Sequence, residues 1–126
     1  MERRTFIRWA PVVLWAAAIL AVSSIPGRHL HIPEGTDKVG HVGEYLVLGA
    51  LLARSLGARA ALRLLVAAWL GMAVFGALDE LHQYFIPGRT PDVMDWAADA
   101  AGAGAGLLAG WAFYRLRARW NRSPAS

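Results

Sequence analysis

Residues 62–85 read LRLLVAAWLGMAVFGALDELHQYF, a run with no charge between Leu64 and Leu78 that closes on Asp79, Glu80, His82 and Gln83. At about 1.5 Å per residue a helix over this run is long enough to cross roughly 30 Å of hydrocarbon. Ionisable side chains are costly at membrane depth, so their gathering at one end of an apolar run marks a site. Two further segments repeat the pattern. One opens on Asp37, Lys38, His41, Glu44 and Tyr45 and is apolar to Leu56 but for Arg54 and Ser55; the other opens on Arg89, Asp92, Asp95 and Asp99 and continues through Gly102, Gly106 and Gly110.

The surrounding composition fits this reading. The 126 residues are 56% apolar, and the apolar residues come in blocks instead of at amphipathic spacing, as in a membrane protein. No composition shift or linker divides the chain, so residues 1–126 form a single domain. Without cysteine, disulfides, thiolate metal sites and thiol nucleophiles are excluded. The net charge of +4 does not indicate nucleic acid, because the arginines cluster at the ends of apolar segments and not along a groove-sized patch.

The fold expected is all-α: a polytopic, four-transmembrane-helix bundle with spans near residues 9–25, 39–56, 62–85 and 96–116. Breakers fall where turns are required: Pro26 with Gly27, Pro33 with Gly35, Gly57, Pro87 with Gly88, and Pro91. Arg3, Arg4, Arg8, Arg54, Arg59, Arg63, Arg115, Arg117, Arg119 and Arg122 lie on one side of such a bundle, and only Arg28, Lys38 and Arg89 on the other. The positive-inside rule then places both termini in the cytoplasm of a cell with this protein in its cytoplasmic membrane. Arg3-Arg4-Thr5-Phe6-Ile7 with Ala21-Val22-Ser23 loosely resembles a twin-arginine export signal, but a short basic flank is the ordinary start of a first span. Eight of the nine acids, Glu34 among them, and all four histidines, including His29 and His31, fall on the outer side. The rule does not count acids, so this sorting is separate information.

Helical geometry turns these groups inward. At about 100° per residue, Asp37, His41 and Glu44 share an arc of roughly 60°, with Tyr45 beside them. Asp79 faces with His82 and Gln83, and Glu80 stands at the margin. Asp92, Asp95 and Asp99 share an arc that continues through Gly102, Gly106 and Gly110, where glycine at every fourth position lets a neighbouring backbone approach. Trp9, Trp96, Trp111 and Trp120 read as interfacial anchors. Asp37 is a candidate N-cap of its helix, as Thr90 or Asp92 is of the last.

Six acids facing two fixed cations cannot all be ionised in a dry site, so the cleft is wet, holds protons, or takes a cationic or basic ligand. His41, Asp79 and Asp95 are the best acid–base candidates. No HExxH or comparable metal signature is present, and no metal or cofactor is expected.

Asp37-Lys38-x-x-His41-x-x-x-Tyr45, Asp79-Glu80-x-x-Gln83-x-Phe85 and Pro87-Gly88-Arg89-Thr90, followed by Asp95, Asp99, Gly102 and Gly106, resemble the VanZ-like family of small bacterial membrane proteins. The resemblance runs from Asp37 to Gly110. One departure stands out: the family commonly has asparagine where this chain has Asp99. The resemblance implies a small bundle of the bacterial cell envelope and, from the name-giving member, an association with low-level resistance to teicoplanin, a lipid-tailed glycopeptide antibiotic. Three activities fit the cleft. The first is binding or modifying a lipid head group or lipid-linked wall precursor, with Lys38 and Arg89 on phosphate; the second is intramembrane acid–base or metal-dependent catalysis on a lipid. The third, a proton or ion pathway, is disfavoured because the inner halves of the spans carry no continuing polar residues.

Overall fold

The computed structural model describes residues 2–29 and 36–121; His31, Pro33, Glu34, Gly35 and Arg122 lie outside the described residues. Four helices carry the chain: α1 (Glu2–Ser23), α2 (Asp37–Leu56), α3 (Leu62–Gln83) and α4 (Val93–Trp120), with a 3-10 turn at Gly27–His29. No strand occurs among the described residues. The four expected helices are present; α1, α2 and α4 begin before the apolar blocks that suggested them and α4 also ends after its block, whereas α1 stops at Ser23 and α3 at Gln83, each two residues short. Helix α1 starts at Glu2 instead of Trp9, and α4 continues to Trp120 instead of Leu116, because arginine and glutamate sustain a helix well after hydrophobicity has ended. Where the chain does stop, proline is near: α1 ends before Ile25-Pro26, and α4 begins after Pro91.

Two helices, α1 over Thr5–Ser23 and α3 over Leu62–Gln83, are long and apolar enough to cross a membrane. Helices α2 and α4 have sufficient length, roughly 30 and 42 Å, but both carry charges at each end: acids toward the N-terminus, and Arg54 in α2 and Arg115, Arg117 and Arg119 in α4 toward the C-terminus. The apolar residues of α1 and α3 face outward: Val13, Leu14, Leu70, Val74 and Leu78 are each more than half exposed. Apolar area on this scale has no place in water, which points to a membrane protein.

The closest pairing is α2 with α4. A Cβ on Gly102 would strike the backbone of Val42, one on Gly106 the backbone of Leu46, and one on Gly110 would lie 2.8 Å from the Ala53 Cβ and 3.3 Å from the Ala50 Cα. Gly49 answers from α2, its face pressed on the Ala103 and Leu107 backbones. The contacts advance by four residues on both helices together, so α2 and α4 run parallel. Their polar N-terminal ends therefore lie side by side. Helix α1 packs on α2, and α3 packs chiefly on α4. The core between them is small, with Ile19, Tyr45, Leu48, Leu65, Met72 and Leu107 buried.

Indoles fasten the remaining contacts. Trp15 Nε1 donates to the Glu44 carbonyl at 2.8 Å, Trp69 Nε1 to that of Ala100 at 2.9 Å, and Trp96 Nε1 to that of Ala73 at 2.9 Å. The last two cross α3 and α4 reciprocally. Trp96, read from sequence as an interfacial anchor, is thus a tie between helices, a role open to an indole because helix carbonyls accept a second bond. At the far end Arg8 Nη2 donates to the Ser55 carbonyl, and Ser55 Oγ returns a bond to the Arg8 carbonyl at 2.7 Å.

Candidate functional site: a polar cavity at the head of the bundle

The parallel α2 and α4 bring their first turns together, and a network forms across them. Lys38 Nζ donates to Asp95 Oδ1 at 2.9 Å and to Asp92 Oδ2 at 3.0 Å, with Asp37 Oδ2 3.7 Å away. One turn deeper, His41 Nδ1 lies 2.9 Å from Asp99 Oδ1, and its Nε2 stands 3.8 Å from Asp95 Oδ2. Asp95 therefore spans the lysine and the histidine. Asp99 is fully buried. A carboxylate at that depth needs a proton or cation within reach, and the His41 ring supplies it. With the Nδ1 proton directed to Asp99, the Nε2 edge of the ring is turned toward Asp95.

A second network belongs to α1 and α3. Ser23 Oγ donates to Asp79 Oδ2 at 2.8 Å, and Gln83 Nε2 reaches Asp79 Oδ2 at 3.3 Å and Glu80 Oε1 at 3.4 Å. Glu80 joins the two networks, its Oε2 accepting from the Asp92 backbone N–H at 2.9 Å. Glu80 is only 7% exposed, so the residue placed by arc at the margin is a central one: the chain between α3 and α4 folds over it.

Asp92 caps α4, accepting from the Met94 N–H at 2.8 Å. That bond, and next the Lys38 ammonium, hold its carboxyl below the usual carboxylate range. Asp37 is not a cap. It is the first residue of α2, behind Thr36, whose side chain makes no capping bond.

Above these networks lies a cavity of about 270 Å³, walled by Ser23, Asp37, His41, Glu44, Gln83, Arg89 and Asp95 and by the backbones of Gly27, Gly40 and Gly88. Its roof is a contact between two connections. Gly27 N donates to the Pro87 carbonyl at 3.0 Å, and a Cβ on Gly27 would overlap the Gly88 carbonyl. Gly88 itself has φ +77°, a conformation that favours glycine. The sequence signal for this roof is the tetrapeptide Ile-Pro-Gly-Arg, which occurs at 25–28 and again at 86–89. Reading Pro26-Gly27 and Pro87-Gly88 only as breakers misses it.

Arg89 follows the second of these. Its Nη2 reaches the Val22 carbonyl at 3.3 Å, and its Nε is sealed from solvent without a partner. Three buried oxygens are likewise unpartnered: Asp79 Oδ1, Asp99 Oδ2 and Tyr45 Oη. A Cβ on Gly76 would stand 3.2 Å from Asp99 Oδ2 and 3.4 Å from Tyr45 Oη, so both face one glycine of α3. Tyr45 is fully buried below the cavity, its ring 6.0 Å from that of Phe75.

Of the residues singled out by sequence, Asp37, His41, Glu44, Gln83, Arg89 and Asp95 line the cavity; Lys38, Asp79, Glu80, Asp92 and Asp99 belong to the networks that join them, Tyr45 is buried beside Phe75, and His82 turns aside to Ser24, its Nε2 3.0 Å from the Ser24 Oγ. Ser23 on α1 has a part that sequence reading did not give it, since a serine near the end of an apolar block carries no distinguishing signal. For a metal, one set of described residues has the chemistry. Ligand atoms of His41, Glu80 and Asp95 lie within 4.8 Å of one another, and the His41 ring is oriented by Asp99, as metal-binding imidazoles commonly are by a carboxylate. Lys38 already holds one oxygen of Asp95, and both oxygens of Glu80 accept bonds, Oε2 from the Asp92 N–H and Oε1 from Gln83 Nε2, so a metal would have to displace at least the Gln83 contact.

No curated protein and no solved structure matches the chain. The model of the VanZ/LLP1 family matches residues 4–115, from the basic N-terminal flank through the polar head and glycine face of α4, and the chain belongs to that family.

Proposed function

We propose that this is a four-span protein of the bacterial cytoplasmic membrane, both termini in the cytoplasm, whose outward-opening cavity binds the phosphate-bearing head group of a lipid or lipid-linked wall precursor. The observation that carries this reading is Arg89. It is the fixed cation on the cavity wall, its guanidinium is tethered by Nη2 to the Val22 carbonyl at 3.3 Å, and a guanidinium pairs with phosphate through two parallel bonds. Lys38 is held by Asp92 and Asp95, so its part is to neutralise the acidic wall, and the phosphate falls to Arg89 alone. Asp37 and Glu44 stand on the same wall for amine or hydroxyl groups. A volume of about 270 Å³ takes a head group and not a whole sugar–peptide precursor, which would engage through its phosphate at the membrane surface. Such a site would act where a lipid-tailed glycopeptide meets its target, which is how the family's link to teicoplanin resistance would extend to this chain.

Native mass spectrometry of the detergent-purified protein tests the proposal. Phosphatidylethanolamine added to the delipidated chain is expected to be retained and to be lost, by about tenfold in occupancy, in Arg89→Ala, in line with a charge-assisted contact. Equal retention by the two proteins would refute it.

The His41–Asp99 pair at 2.9 Å favours a second reading, acid–base chemistry on the bound lipid, with His41 Nε2 as the proton carrier and Asp99 positioning it. Turnover of phosphatidylethanolamine that disappears in His41→Gln while lipid retention persists would support it; an unaltered lipid after long incubation with the native chain would exclude it for that lipid.

A further inference from the structure

A cavity of about 960 Å³ lies at the other end of the bundle, between the α2–α3 connection and the last turns of α4. Its charged lining is wholly basic: Arg59 from the connection, and Arg115 and Arg119 from α4. Trp111, Arg115 and Arg119 recur at every fourth position and so share one face of α4. The Arg115 guanidinium lies 4.7 Å from the centre of the Trp111 ring, which fixes it at the wall. The Trp111 Nε1 is buried and has no acceptor. The start of α3 also borders this space, with Ala61 at the N-cap making no side-chain capping bond, so the positive end of that helix adds to the field. Small side chains, Ala58, Ala60 and Ala118, leave the volume open.

Arginines that served only to set orientation would need no such grouping. Arg54, Arg63 and Arg117 belong to the same end of the bundle and stand outside the cavity. Three guanidiniums, a spare indole N–H and an uncapped helix start, with no acid among the lining residues, select a doubly or triply charged oxyanion.

We propose that this basic cavity is a second binding site, separate from the polar head, that takes a phosphate group: the head group of an anionic lipid in the adjoining leaflet, or a soluble phosphate compound. The full chain in phosphatidylcholine nanodiscs with and without phosphatidylglycerol, and the same protein in detergent with inorganic phosphate, separates the two sources by native mass spectrometry. Adducts of phosphatidylglycerol alone assign the lipid, and adducts of inorganic phosphate assign the soluble class. The combined Arg59→Gln, Arg115→Gln, Arg119→Gln protein is expected to lose the adduct by at least about tenfold, in keeping with three surface arginines each contributing to anion attraction. The control with Arg54→Gln, Arg63→Gln and Arg117→Gln, of equal net charge, should keep it within about twofold, because its arginines lie off the cavity. Trp111→Phe keeps an aromatic ring under Arg115 while removing the N–H with the pyrrole part of the indole, and should weaken binding without unfolding. Equal losses in the two triple variants, an unaffected cavity triple, or no adduct with either probe would overturn the proposal.

Discussion

Asp99 shows how one residue can be set by its neighbours. One of its oxygens meets His41, and the other faces Gly76 and Tyr45 without a partner. An amide in the same place accepts from the imidazole and still has two hydrogens to offer. Asp99→Asn is therefore expected to leave thermal stability unchanged or raised, whereas Asp99→Ala strands His41 and should cost about 1–3 kcal/mol, the usual penalty for a buried polar group left unmatched. Denaturation of the purified variants decides this, and a more stable Asp99→Ala protein would contradict the pairing. Asp92 gives a pH prediction. Its carboxyl is held below the ordinary value of 3.8, so its support of α4 is complete above that pH and fades as the pH falls through the lower folded value. Protection of the Met94 amide from hydrogen exchange, relative to the unfolded chain at the same pH, should be full at pH 5 and fall only below about pH 3.8; an unprotected amide at pH 5 would mean the cap bond is not made.

At the scale of the helix, the glycine face of α4 governs packing. Gly106→Leu drives a side chain into the Leu46 backbone, and with no flexible atom there to move aside, α2 and α4 must separate. A loss of at least about 3 kcal/mol, or failure to fold, is expected from overpacking against a backbone, measured by thermal aggregation in detergent. A stable, fully folded Gly106→Leu protein would refute the register described. This face was legible in the sequence because Asp95, Asp99, Gly102 and Gly106 repeat at helical spacing. That its partner is α2 was not, since glycine spacing names a surface and not what covers it. The tryptophans were legible only as amphipathic residues. Whether an indole anchors to an interface or ties two helices depends on a carbonyl from another part of the chain.

Over the whole molecule, hydrophobic blocks and arginine placement made four helices legible, and the gathering of charges at one end made the site legible. What they left open was the wiring. Six acids and two cations do not reveal that Lys38 is bound to Asp92 and Asp95 while Arg89 Nε has no partner, because the pairing depends on how α2 meets α4 and how Gly27 meets Pro87 and Gly88. The proposed orientation can be checked in cells, since the chain lacks cysteine and single cysteines give an unambiguous label. Thr90→Cys should react with a membrane-impermeant maleimide added outside, and Ala58→Cys only after lysis; the opposite pattern would invert the topology. The central claim is that Arg89 receives a phosphate. Magnetic-resonance measurement of the dipolar contact between 15N-labelled arginine side chains and lipid 31P, in phosphatidylethanolamine membranes, tests it most directly. A contact of roughly 4 Å, the separation that paired guanidinium and phosphate groups impose, should be present in the native chain and diminished in Arg89→Lys; a contact spectrum unchanged by that substitution would contradict the account.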